Sequence, residues 1–387
     1  MPYGIESANT SQGTNIDFEV HKGPLGLAGV VAHWGETIEA NDLRDRINTV
    51  YPDKKLPEDT GFDRIYHQRD GISRSDGIAD ELEVATLVGN KTLEVNGWDP
   101  KDIAGLFVGS GVPIADDPRY TNYAAAIADR LGLSPDTVLH STYAACNSGA
   151  REVFNALEHP DMQGKPVIVM GMEGITELTG NFDPKKADHL SMQVFSNGAA
   201  GIGMVPGENI SLLHHGHRVI EDKRNALTAH MTYGQLLDAD GEIWQDKGPL
   251  SLMRYPLPED GKLIEMDGSQ TVLFFVRNGV VFLSDMLKDY LAKYPDQLPD
   301  YGAAHHPSLG VHTVLGQRLA KEGIDIEFPW VVNDGNSSAA TSMIAQLRLL
   351  ERAQEGTKVL YAAYGAGGSF DAGVLMHAGH AQALSLK

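Results

Sequence analysis

One cysteine, Cys146, occurs in 387 residues, so no internal disulfide is available and non-covalent burial alone must hold the fold. Cations are also sparse: 31 Lys and Arg against 52 Asp and Glu leave a formal net charge of −21, which argues against nucleic acid, whose phosphates need clustered Lys and Arg. No apolar run approaches the roughly 18 residues of a membrane span, the best pieces being strand-sized ones such as Pro166-Val-Ile-Val-Met-Gly171, so no membrane is expected. The polar start, residues 1–19, has neither the basic nor the apolar region of a secretory signal, and the expected location is cytoplasmic. An acidic surface repels an acidic carrier protein at long range, so such a partner would need a local basic patch, for which Lys185-Lys186 and Lys223-Arg224 are the candidates.

What the chain does have is core material, 42% hydrophobic residues, enough for two ordinary domains or one large α/β domain. A Gly/Ser/Asn-rich arm of about twenty residues precedes a strand pattern at 25–33, and a long irregular region follows. Periodicity then predicts a helix over 78–95, a strand over 102–110, a helix over 123–131, and strands over 167–171 and 198–205. The turn signal Pro206-Gly-Glu-Asn divides the chain into residues 1–207 and 208–387. After it the pattern restarts, with helices over 271–290, 310–322 and 339–353 and strands ending near 306, at 328–333, at 358–364 and at 372–376. Two successive halves of alternating strands and helices predict packed α/β layers with mixed sheets.

Cys146 lies in Ser141-Thr-Tyr-Ala-Ala-Cys-Asn-Ser-Gly149, small residues leading into a helical run. A free cysteine is often a small buried apolar residue, but a thiol at the first turn of a helix meets unpaired N–H groups that favour thiolate, and small neighbours leave room for a substrate. Three segments of the second half follow strand patterns, where α/β folds place their chemistry: Ala304-His305-His306-Pro307-Ser308-Leu309, Asn333-Asp334-Gly335-Asn336-Ser337-Ser338-Ala339-Ala340-Thr341, and Tyr364-Gly365-Ala366-Gly367-Gly368-Ser369. His214-His-Gly-His217 lacks supporting ligand spacing and is expected to be a histidine-bearing surface strand, not a metal site.

These four segments, in this order, resemble β-ketoacyl-acyl-carrier-protein synthase III and its relatives in the thiolase superfamily. The resemblance runs with gaps from about Leu25 to Met376 and takes in Thr60-Gly61-Phe62, the Phe182-Asp-Pro loop, Tyr233-Gly-Gln-Leu-Leu237 and Met266-Asp-Gly. It implies a thiolase-like α/β fold of two similar halves layered αβαβα, with Cys146 as acyl acceptor, His305 as catalytic histidine and Asn336 as its amide partner. Backbone N–H groups of Cys146 and Gly367 would form the oxyanion hole, and Tyr120 would stand at the substrate tunnel, reaching the other subunit of a homodimer. The implied reaction is acyl transfer to the thiol from a coenzyme A or carrier-protein thioester, then decarboxylative Claisen condensation with a malonyl-type thioester in fatty acid or polyketide biosynthesis. An acyl carrier protein is an admitted partner, and no cofactor or metal is implied.

His306 is read as the structural neighbour of His305, and Asp334 as a carboxylate partner only if the loop were shifted. The resemblance also breaks in places. The residues that clamp the adenine of coenzyme A correspond to Lys55, Asp59 and Ala187 here, and Asn197 stands where an aspartate is frequent, which points to a specialised pathway. Transfer of the acyl group to a hydroxyl or amine, with His305 as base, and a non-catalytic partner subunit stay open as alternatives.

Overall fold

The computed structural model describes residues 6–9, 13–53, 56, 60–67, 74–111, 123–142, 144–176, 188–221, 227–229, 264–366 and 368–377. The first part of the chain supplies β1 (Glu6–Asn9), β2 (Asn15–Lys22), β3 (Ala28–Trp34), β4 (Glu36–Glu39), α1 (Ala40–Val50), β5 (Arg64–His67), α2 (Arg74–Asn96), β6 (Gly105–Ser110) and α3 (Tyr123–Leu131). Then come β7 (Val138–Thr142), α4 (Ser148–Glu158), β8 (Val167–Glu173), α5 (His189–Val194) and β9 (Gly198–Met204). The remainder supplies β10 (Ser211–Val219), β11 (Leu227–Ala229), β12 (Ile264–Met266), α6 (Gly268–Lys293), β13 (Tyr301–Ala304), α7 (Leu309–Lys321), α8 (Thr341–Arg348), β14 (Lys358–Gly365) and β15 (Ser369–Met376).

Two main sheets result, a seven-stranded one in the order β1-β2-β3-β9-β8-β6-β7 and a four-stranded one in the order β10-β15-β14-β13. β6 runs parallel to β7 and β8, and β13 parallel to β14, while the other ladders of these sheets are antiparallel. Strand alternation turns each sheet into a double-sided layer. Phe107, Val167 and Val169 face a central core with Tyr361, Ala363 and Leu375 of the second sheet, and α4 and α8 fill it through Val153, Phe154, Met343 and Leu347. The alternate residues Leu106, Val108, Ile168 and Met170 face outward onto α2 and α3, and Leu360, Ala362 and Tyr364 face outward onto α6 and α7. The layers are therefore helix, sheet, helix, sheet, helix.

α6 is long and apolar enough by composition to cross a membrane, yet half of its most apolar stretch is buried. Phe275, Phe282, Met286 and Tyr290 pack it into the outer core of the second sheet.

Three sequence expectations are corrected here. The polar arm contributes the hairpin β1–β2 at the edge of the large sheet, because Ile16 and Phe18 alternate inward. The region expected to be irregular holds β4, α1 and β5, pinned by the buried residues Ile38, Leu43, Ile47 and Ile65. Residues 328–333 form no strand: Pro329 lacks an N–H, and the Asn333 carbonyl accepts from Asp63 and Arg64 instead of entering a ladder.

Candidate active site

Cys146 and Asn336 lie at the starts of the two central helices, Cys146 inside the turn that opens α4 and Asn336 two residues before the turn that opens α8. A one-turn 3₁₀ segment, Ala145–Asn147, leads into α4, and another, Ser338–Ala340, leads into α8. Each opens on a non-glycine residue at positive φ, Ala145 at 50° and Ser338 at 44°, a conformation that persists only where the surroundings over-determine it. The two turns press together: a Cβ on Gly149 would stand 2.2 Å from the Ala339 carbonyl oxygen, and one on Gly365 would stand 2.4 Å from that of Ala144. Only glycine permits these approaches.

Ser338 joins the two turns. Its hydroxyl lies 3.5 Å from Cys146 Sγ and its N–H donates to Asn336 Oδ1 at 2.9 Å. Thr341 Oγ1 donates to the same oxygen at 2.9 Å, which leaves Asn336 Nδ2 with no partner among the described residues. The loop is fixed by backbone bonds from Asn336 N to the Val194 carbonyl and from Ser196 N to the Asn336 carbonyl. His305 sits just past β13, its N–H bonded to the Ala362 carbonyl, its ring edge-on to Tyr364 at 5.2 Å, and its Nδ1 buried without a hydrogen bond. Tyr364, in turn, is close enough to Cys146 for the charge of that group to act on its phenol. Ser338 thus links Cys146 to Asn336, and Tyr364 links it to His305.

Burial sets the protonation states. It pushes the Cys146 thiol up to about 11, against the Ser338 hydroxyl and with the help of nearby Glu173, whose carboxylate accepts from Gly111 N at 2.6 Å. The helix-start argument for a ready thiolate is therefore corrected: desolvation outweighs it. Burial lowers His305 to about 3, with His312 adding to the effect, so the imidazole is neutral at ordinary pH.

His306 is structural, as its position implied. Val331 N donates to its Nε2, Nδ1 lies 2.6 Å from the Ala304 carbonyl oxygen, and its ring stacks on His312. Asp334 does not approach His305 as a carboxylate partner; it pairs with Arg64 and Arg348, each at 2.5 Å. Asn197 accepts from Thr176 through Oδ1. His215 and His217 of β10 flank buried Asp371. Tyr120, Gly367, Lys55, Asp59, Ala187 and the basic pairs at 185–186 and 223–224 lie outside the described residues.

Two ionic clamps behind these loops escaped the sequence reading. Arg348 of α8 bridges Glu19 of β2 and Asp334, two residues before Asn336, beside an open cleft of about 500 Å³. Glu19, His33 and Asp334 offer ligand atoms within 4.8 Å of one another, but guanidinium groups already engage both carboxylates, so the cluster is an ion-pair network. On the other side Asp371 accepts from Arg151 and from Asn147, the residue after Cys146. A charge in the apolar run Phe370-Asp-Ala-Gly-Val-Leu-Met376 was the available signal for this second clamp.

The layers and the paired helix starts define the thiolase-like fold of ketosynthase III-type condensing enzymes. The 3-oxoacyl-[acyl-carrier-protein] synthase III of Aquifex aeolicus superimposes with a TM-score of 0.63 over 96% of this chain and 100% of that one, at 15% identity. The priming β-ketosynthase of a polyketide biosynthetic pathway gives 0.66 over 92% and 96%, at 17% identity. Among curated sequences, hydroxymethylglutaryl-CoA synthase of Methanopyrus kandleri is 26% identical over 277 residues, 71% of this chain and 67% of that protein. No protein-family model matches the chain.

Proposed function

We propose that this protein is an acyltransferase of the ketosynthase III type, joining an acyl group held on Cys146 to a malonyl-type thioester in a specialised branch of fatty acid or polyketide biosynthesis. The observation that carries this reading is the hydrogen bonding of Asn336. A backbone N–H and a threonine hydroxyl both point at its Oδ1, so the side chain can offer a ligand only its N–H donors. An amide donor and a neutral imidazole can each stabilise a developing oxyanion, and an amide does not orient an imidazole as a general base.

In the first step Cys146 loses its proton and attacks the acyl thioester carbonyl, the carrier thiol leaves with a proton, and the acyl group remains on sulfur. In the second, the malonyl unit loses carbon dioxide, and the enolate oxygen is held by Asn336 Nδ2 and by His305. The enolate carbon attacks the stored acyl carbon, breaking the C–S bond to Cys146 and releasing a 3-oxoacyl thioester. Gly367 N–H would join that of Cys146 at the first tetrahedral oxygen, and Tyr120 would line the tunnel. The carrier is coenzyme A or a carrier protein: the name of the M. kandleri relative favours coenzyme A, and the unmatched adenine clamp favours a carrier protein. A cytoplasmic homodimer completes the proposal.

The test is intact-protein mass spectrometry after incubation with acyl thioesters, followed by addition of malonyl thioester. An acyl adduct absent from Cys146→Ala, discharged with release of carbon dioxide, is the expected result. An adduct that persists in Cys146→Ala, or discharge without carbon dioxide, overturns the assignment.

A further inference from the structure

Tyr364 ends the apolar run of β14 near two of the three proposed catalytic groups, His305 and Cys146. Its ring stacks on Phe275 of α6 at 4.8 Å and stands edge-on to His305, and the residue is only 7% exposed. Its hydroxyl is buried and has no hydrogen-bond partner among the described residues. Such a group is rare in a folded protein, because water satisfied it in the unfolded chain and nothing replaces that bond on folding. A phenylalanine would supply the same stacking on Phe275 without the loss. A phenol placed there makes physical sense when a bound molecule supplies the missing acceptor.

The surroundings say which kind of molecule. Burial raises the phenol well above its ordinary range, and charge on Cys146 raises it further, so Tyr364 stays protonated and acts as a donor. Its ring meets His305 edge-on and its phenol feels charge on Cys146, so an acceptor at this hydroxyl would lie near the thiol and the imidazole. We propose that Tyr364 Oη is a specificity-determining donor that selects substrates carrying a hydrogen-bond-accepting oxygen near the carbon that reacts. This inference rests on the condensing-enzyme reading and extends it to substrate class. The oxygen belongs either to the acyl chain stored on Cys146, as in a 3-hydroxyacyl group, or to the incoming malonyl-type thioester.

The experiment compares wild type with Tyr364→Phe in two arms. In the first, acylation of Cys146 by 3-hydroxybutanoyl and by butanoyl thioesters is followed by intact mass. In the second, acyl-Cys146 loaded from butanoyl thioester is discharged by malonyl thioester or by hydroxylamine, which needs no polar contact. If the oxygen is on the stored chain, the 3-hydroxybutanoyl preference falls roughly tenfold or more in Tyr364→Phe, the size of one buried hydrogen bond left unmade. If it is on the acceptor, malonyl discharge slows by a similar factor while hydroxylamine discharge is unchanged.

Equal behaviour of the two proteins in both arms overturns the inference and leaves the condensing-enzyme reading intact. A melting temperature several degrees lower in Tyr364→Phe overturns it too, because the hydroxyl would then already be bonded within the protein. No adduct on wild-type Cys146 from any thioester removes both readings.

Discussion

Ser338 Oγ lies 3.5 Å from Cys146 Sγ, in a residue held at φ 44° whose N–H donates to Asn336. Among the described residues, this hydroxyl is the neighbouring side chain that favours the ionised sulfur, against burial and Glu173. Ser338→Ala removes the hydroxyl and keeps the backbone bond to Asn336. Alkylation of Cys146 by iodoacetamide at fixed pH should slow about three- to tenfold, as expected for one ordinary hydrogen bond. An unchanged rate would mean that the contact does not support the thiolate.

The pH dependence of the same reaction follows from the raised thiol. With Cys146 near 11, only a small fraction is thiolate at pH 7, and the alkylation rate should rise about tenfold per pH unit between pH 7 and pH 10. Neutral His305 supplies no imidazolium partner over that range. A plateau reached by pH 8 would show that the free enzyme holds a stabilised thiolate.

Asn336→Asp separates the two half-reactions of the proposed mechanism. An aspartate keeps the acceptor for Ser338 N and Thr341 Oγ1 but replaces the outward N–H donors by charge. Acyl loading of Cys146 should survive, while discharge by malonyl thioester should fall by roughly 10²- to 10³-fold, the usual cost of losing one oxyanion donor. Equal loss in both steps, read by quenched-flow mass spectrometry, would place Asn336 outside the condensation.

The layers and the helices that follow the Cys146 and Asn336 segments were legible because each rests on local pattern. Residues 123–131 form α3 as periodicity predicts, and the Gly-Asn-Ser-Ser-Ala-Ala run starts a helix as small residues in a crowded turn must. The region 34–67 was illegible because β4 and β5 are short and get their meaning from packing against residues far away in sequence, such as Trp330 on Phe62. The state of Cys146 was misread for a related reason: helix position is local, but desolvation depends on everything folded around the thiol. The clamps join Arg348 to Glu19 across 329 positions and Arg151 to Asp371 across 220, which no single window shows.

Arg348 should carry much of the stability of the loop that holds Asn336. It is paired with both Glu19 and Asp334 while largely buried; burial pulls both carboxyls up, and His21 beside Glu19, His33 beside Asp334 and the Arg348 charge beside each hold them below their usual range. Arg348→Met leaves two buried carboxylates with less compensation, and the expected loss is about 3–5 kcal/mol in denaturant unfolding. The double variant Arg348→Met with Glu19→Gln should recover part of that loss. No recovery would show that the effect is packing alone.

Acid should weaken the fold from about pH 6.5 downward. Among the described histidines, His33, His214, His305, His306, His312 and His377 are lowered by burial, His305 to about 3 and His377 to about 4. Only His140, hydrogen-bonded to Glu152, and His215, where Asp371 and Glu158 outweigh desolvation, are raised. A lowered histidine takes up its proton more readily when unfolded, so below its ordinary value the unfolded chain binds more protons and stability falls. Each such group contributes about 1.4 kcal/mol per pH unit between 6.5 and its folded value; the stability from the raised pair is fully present below 6.5 and is lost only as pH rises above it, so it does not offset the acid loss. Glu19, Asp334 and Asp371, all held low, add their loss only below about pH 4, where the unfolded carboxylates protonate. His377 has no part in the proposed mechanism, burial alone lowers it, and its Nδ1 has no partner among the described residues. Urea unfolding at pH 7.5, 6.5, 5.5 and 4.5 should show a slope that His377→Asn reduces by one proton's worth, and an identical slope in that variant would mean that His377 titrates normally in the folded protein.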